Sequence, residues 1–218
     1  MKEWINLAKC SLCSGLLIGF AAFSYTLVGG IVGSLLFSFG LFGVLYGNWA
    51  LYTGYAGSFE WREAKDWGRL FFTLAGNWVG VMTIAMLASV ANEASLEKCS
   101  ELISTIIVDR TTSEWWQILV RSIGTGFIME IAVRYGRQSK WMTVVLGVPV
   151  FIVCGLPHCV ADIFYYGFAW YDACTSVYWL DACSSASIYL SPWLLAIVGN
   201  LIGCNIPRAL TVDNKCRE

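Results

Sequence analysis

The chain has 218 residues, is 57% hydrophobic and only 13% charged, and carries a mean hydropathy of +0.63 with a formal net charge of −1. A soluble domain of ordinary composition has about 25% charged residues. These values exclude a soluble catalytic domain and predict an all-α integral membrane protein, a single domain over 1–218 with room for about six spans of about 20 residues.

Six hydrophobic regions follow in chain order, at about 6–28, 31–56, 70–90, 115–133, 141–170 and 188–209. Helices are expected in all of them, because hydrocarbon offers the backbone no hydrogen-bond partners. In the first region Cys10 and Cys13 lie three apart on one helix face. Without a second pair or histidine partners they read as packing residues rather than metal ligands, and no metal or cofactor is expected. Cys99, Cys174 and Cys183 fall in loops, with Cys174–Cys183 the favoured pair if a disulfide forms.

The basic residues orient the spans. With both termini in the cytoplasm, the inner segments hold Lys2, Lys9, Arg62, Lys65, Arg69, Arg134, Arg137, Lys140, Arg208, Lys215 and Arg217. The outer loops hold only Lys98 and Arg110, against Asp109, Asp172, Asp181 and four glutamates. This is a strong positive-inside bias.

Two regions are not plain spans. The fifth is too long for one helix and has Gly155 and Pro157 near its middle, which predicts half-helices over 141–154 and 158–170. The second has Gly40, Gly43, Gly47, Asn48 and then Thr53-Gly54, which predicts a helix over 31–46, an irregular loop and a short second piece. The third and sixth regions share a pattern, AGNWVG at 75–80 and VGNLIG at 198–203. The chain therefore reads as an inverted repeat of a three-span unit with broken second and fifth helices, an aquaporin-like architecture with a path along its pseudo-two-fold axis. Asn48, Asn77 and Asn200 are expected to pack helices beside that path.

The chemistry concentrates at the fifth-region break, in GLPHCVAD at 155–162. It holds the single histidine of the chain, His158, and Asp162 one turn later. An ionisable group inside a broken membrane helix marks a solute path, and a histidine there can exchange a proton with a weak acid. Asp162, at i+4, is placed to orient the imidazole. Leu41, Leu51, Tyr52 and Phe151 flank the breaks; apolar rings can close a pore to hydrated ions, although the sequence alone favours ordinary packing for them. Glu130 can pair with Arg134 at i+4, and Arg121 has no evident partner.

The stretches GVPVFIVCGLPHCVADIFYYG and SFGLFGVLYGNWALYTG, with the two Gly-Asn motifs, resemble the formate/nitrite transporter family over about 16–210. The resemblance implies a homopentamer with one pore per protomer, in the inner or plasma membrane. It implies passage of small monovalent anions or their conjugate acids (formate, nitrite, hydrosulfide, lactate) and no enzyme activity. By position, His158 is the central histidine and Thr53 faces it from the second-region loop. Leu41 and Phe151 form the cytoplasmic constriction, Leu51 and Tyr52 the periplasmic one. Arg110 takes the place of a basic residue ahead of the fourth span, able to attract anions but not to donate a proton. The chain departs from the family pattern at Pro157, where a glutamate is usual, at Asp162, where an asparagine is usual, and at Gly126, aligned with a fourth-span asparagine. Three rivals are weaker, one of them a non-transporting structural or adaptor protein, which broken helices with an embedded histidine argue against. A neutral-solute pore needs paired Asn-Pro-Ala motifs, where this chain has Asn48-Trp49-Ala50 and Leu156-Pro157-His158. A haem-bearing redox enzyme is argued against by the single histidine.

Overall fold

Four helices are long and apolar enough to cross a bilayer in the computed structural model: α1 (Lys2–Val28), α4 (Ala64–Ala88), α6 (Trp115–Gly136) and the Ser187–Leu210 part of α9 (Trp179–Leu210). Two shorter apolar helices, α2 (Gly30–Tyr46) and α7 (Met142–Val153), are each followed by an irregular segment and a further helix, α3 (Tyr52–Ala56) and α8 (Asp162–Thr175). One more helix, α5 (Glu93–Thr112), lies between α4 and α6. The structure describes the backbone of residues 1–175 and 179–210, and the side chains of these except 172, 173, 175 and 179–186. The expected Cys174–Cys183 pair and the charges of Asp172, Asp181, Lys215 and Arg217 therefore lie outside the described residues.

The expected breaks are present, with shifted edges. The second half of the fifth region becomes helical only at Asp162, so His158 stands in the irregular segment before α8 rather than on its first turn. Helix α5 is a departure from the loop expected there. Its side-chain cap is Asn92, whose Oδ1 accepts from the Ser95 N–H at 3.1 Å, and it buries Cys99, Ile103 and Arg110 along one face. Cys99 is thus a helical core residue, its Sγ 3.3 Å from Thr26 Oγ1.

Two helix pairs make the tightest contacts, α1 with α4 and α6 with α9. A Cβ on Gly15 would stand 2.4 Å from the Asn77 carbonyl oxygen, and one on Gly126 would stand 2.3 Å from that of Asn200. Small residues let the backbones approach this closely, which is how helices associate where lipid and side chains are equally apolar. Gly126 is therefore a contact position with no room for any side chain.

Candidate functional site

The two breaks are built the same way. Helix α2 ends at Gly47 and Asn48, the latter with a φ of 49°, and the Trp49 N–H returns to the Val44 carbonyl at 2.9 Å. Helix α7 ends at Cys154 and Gly155, the latter with a φ of 63°, and the Leu156 N–H returns to the Phe151 carbonyl at 2.9 Å. A left-handed residue followed by this backward bond closes a helix and satisfies one of its last carbonyls. Asn48, expected to pack helices, is exposed and instead supplies the left-handed turn.

Each irregular segment is then clasped by a fully buried asparagine. Asn77 Oδ1 accepts from the Tyr52 N–H at 2.9 Å, while its Nδ2 donates to the carbonyls of Ser11 (2.8 Å) and Ala50 (3.0 Å). Asn200 Oδ1 accepts from the Cys159 N–H at 2.9 Å, while its Nδ2 donates to the carbonyls of Ser122 (2.9 Å) and Pro157 (3.1 Å). Free backbone groups at membrane depth need such partners, and both amides are spent on them.

The clasped segments carry the expected site residues to one another. His158 is buried at 2% exposure and Thr53 at 0%. The His158 Nε2 lies 3.4 Å from Thr53 Oγ1, and its Nδ1 accepts from the Ala161 N–H at 3.1 Å. Because a backbone N–H occupies Nδ1, the neutral ring carries its proton on Nε2, toward Thr53. Phe151 stacks on the imidazole, with centroids 5.5 Å apart, and meets Phe37 edge-on at 6.1 Å. The ring contacts of Phe151 are thus with Phe37 and His158, whereas the resemblance groups it with Leu41, one turn further along α2. Leu41, Leu51 and Tyr52 are buried, and the Tyr52 hydroxyl donates to the Ile197 carbonyl at 3.1 Å.

Asp162 does not orient the imidazole; Ala161 and Thr53 do. Its N–H donates to the His158 carbonyl at 2.9 Å, and its Oδ2 stands 3.4 Å from Arg110 Nε. Arg110 donates from Nη1 to the Gly155 carbonyl at 2.9 Å and pairs with Asp109. Asp109 also takes two bonds from Arg121 Nη1, at 2.9 and 3.0 Å. So Arg121, without an evident partner in the sequence, finds one on α5. Glu130 accepts from Arg134 Nε at 2.7 Å, as its i+4 spacing predicts. Beside His158 a cavity of about 220 Å³ is lined by Asp109, Arg110, Phe151 and Asp162 among others.

Sequence reasoning misses Phe37 and Asp109. Phe37 precedes Leu41 by one turn and shares its face, a signal that the sequence does contain. The role of Asp109 follows only once α5 is known to be a helix packed against this site.

The model of the formate/nitrite transporter family matches residues 1–212. The chain belongs to the formate/nitrite transporter family. A solved structure described as a pentameric formate channel with formate bound superposes with a TM-score of 0.81 at 18% identity, covering 95% of each chain. Another, described as an FNT family ion channel, gives 0.69 at 19% identity, covering 93% of this chain and 85% of that one. These likenesses concern the fold. A search among curated proteins finds no significant match to the sequence. This formate/nitrite transporter family member is accordingly a multi-pass membrane protein of a family of channels and transporters, not of enzymes.

Proposed function

We propose that the protein passes small monovalent anions, formate and nitrite foremost, or their conjugate acids, through a pore in each protomer of a homopentamer in the inner or plasma membrane, with both termini cytoplasmic. The observation that carries this reading is the placement of His158, buried between the two clasped breaks with Nε2 directed at Thr53. The matching asparagine clasps support an inverted three-span repeat. The likeness to a pentameric formate channel supports the pentamer and the anion.

With the termini inside, α2 runs inward and α7 outward. Phe37 then lies one turn outward of Leu41, and its edge contact with Phe151 supports an outer constriction of those two rings and an inner one of Leu41, Leu51 and Tyr52, the reverse of the grouping that the resemblance implies, with His158 and Thr53 between them. A bare anion leaves water at great cost when it enters an apolar ring, and a neutral acid at far less. An anion that reaches His158 first meets its Nε2–H as a hydrogen-bond donor. When the ring takes a second proton at Nδ1, giving up the bond from the Ala161 N–H, transfer of the Nε2 proton gives a neutral acid and a neutral ring protonated on Nδ1, and the acid crosses the inner constriction. The ring must then be reprotonated from the aqueous side.

The test is uptake of formate, nitrite, hydrosulfide and lactate into proteoliposomes, at mildly acidic and at neutral pH, against empty liposomes. The expected outcome is flux of one or more of them that rises on acidification. His158→Gln should lower it and flatten its pH dependence. A glutamine variant with the parent's pH-dependent flux would sink the histidine step. Glycerol or water flux without anion flux would favour a neutral-solute pore instead.

A further inference from the structure

The cavity beside His158 contains two features that attract anions, and one carboxylate covers both. The first is Arg110, only 6% exposed, held by the Gly155 carbonyl and by Asp109. The second is the N-terminus of α8, where the helix dipole favours negative charge although the Asp162 and Phe164 N–H groups are already bonded to the His158 and Ala161 carbonyls. Asp162 is the first residue of α8 and is itself only 2% exposed. Its Oδ2 faces Arg110 Nε at 3.4 Å, and neither atom makes a hydrogen bond. The pair is thus opposed in charge but poorly aligned, and both residues line a largely apolar cavity that His158, Tyr25 and Tyr165 also line. The remaining charges are balanced as well, since Asp109 is shared between Arg110 and Arg121. With Arg121, which pairs with Asp109 from outside the lining, the two arginines and two aspartates of this cluster leave it without net charge.

We propose that Asp162 is a specificity-determining residue: by compensating Arg110 and the α8 N-terminus it makes the chamber in front of His158 electrically neutral, and so keeps anion affinity low. A solute then enters on hydrogen bonding and size, with its charge only weakly rewarded, and leaves readily. Arg110 in this arrangement is a positioning residue, bonded to the carbonyl of the break that carries His158 rather than free to follow a solute. The inference rests on the pore reading above for its meaning in transport, but the charge balance can be tested without flux.

The single histidine makes a direct test available. Protein labelled with 15N-histidine and purified without a histidine tag would be titrated in detergent with sodium formate and, separately, sodium nitrite at constant ionic strength. The His158 ring resonances report occupancy of the cavity. Asp162→Asn removes the charge while keeping a side chain that suits a helix start. It should tighten apparent anion affinity by about tenfold or more, the effect of one unit charge a few ångströms away in partly hydrated protein. Asp162→Glu, which restores the charge, should return affinity to within about twofold of the parent. The double variant Asp162→Asn with Arg110→Gln should lose the gain, because the uncompensated arginine is its source. An Asp162→Asn affinity equal to or weaker than the parent's, or a gain that persists without Arg110, overturns the proposal. A parent with no measurable binding still decides it, because Asp162→Asn must then acquire binding. Tighter binding in Asp162→Asn without flux in any variant would refute the transport reading and leave the charge balance standing.

Discussion

The break after α2 and the break after α7 share a scaffold and differ in chemistry. Asn48 and Gly155 take the left-handed turn. Trp49 and Leu156 make the backward bond. Tyr52 and Cys159 donate to the clasping asparagines, and Ala50 and Pro157 accept from them. In that register Leu51 corresponds to His158. One break presents an apolar side chain at the point where the other presents a titratable ring. The comparison teaches that the backbone problem, unwinding a helix inside an apolar medium, has one solution used twice. The titratable ring is then added at one position, on one side only.

The strongest way to break the comparison is to remove a clasp. Asn77→Ala and Asn200→Ala each abolish three hydrogen bonds; the first strands the buried Tyr52 N–H, since the Ala50 carbonyl keeps its bond from Ser14 Oγ, and the second strands the Cys159 N–H and the Pro157 carbonyl. Each stranded group costs about 1–3 kcal/mol, so a loss of at least that size is expected in both, read as a large drop in the thermal unfolding midpoint in detergent. The effects should separate in flux. Asn200→Ala frees the segment that carries His158 and should impair uptake more than its loss of stability explains, measured on protein that remains folded. Equal flux per folded protomer in the two variants would mean that the clasps are interchangeable and the asymmetry lies elsewhere.

Much of this architecture is legible in the sequence, for physical reasons. Gly155-Leu156-Pro157 announces a helix that cannot continue, and Gly47-Asn48 announces a left-handed turn. AGNWVG and VGNLIG announce close helix contact with one polar group to place. Glu130 and Arg134 sit one turn apart and meet. What is not legible depends on contacts across the fold. Asp162 lies one turn from His158 in sequence, yet its carboxylate faces Arg110, because α5 brings a guanidinium to the same cavity. Helix α5 itself is obscured by its charges, since a search for apolar spans passes over a helix with one buried face. Its Leu96, Cys99, Ile103, Ile106 and Ile107 nevertheless follow helical spacing. The edge contact of Phe151 with Phe37 also needs the structure.

A smaller change tests the point where the two segments face each other. Thr53→Val keeps the shape of the side chain and removes the hydroxyl 3.4 Å from His158 Nε2. One neutral hydrogen bond contributes about 0.5–1.5 kcal/mol, and this one is long, so flux in proteoliposomes should change by a few-fold at most. The signature is in the ring rather than the rate. With its Nε2 partner gone and Nδ1 still held by Ala161, the 15N shift of Nε2 should move while that of Nδ1 stays. Shifts of both nitrogens would mean that Thr53 holds the whole segment rather than one proton.

The mildest prediction concerns the left-handed residues, where the two breaks solve one problem with different side chains. Gly155 has a φ of 63°, and a Cβ added there would meet no atom within 4 Å. Gly155→Ala therefore meets no clash and bears only the backbone cost of a left-handed residue, roughly 1–2 kcal/mol. Asn48 has a φ of 49° and is exposed. Asparagine tolerates this conformation, so Asn48→Gly should shift stability by only a few tenths of a kcal/mol. Paired thermal unfolding curves would check this. If Gly155→Ala were neutral, the φ at that break would be free to relax, and the turn that aims the following residues at Thr53 would be held by Arg110 and Asn200 alone. A measured cost near the expected value would instead make the turn an independent part of how His158 is positioned, as Asn48 is for Leu51.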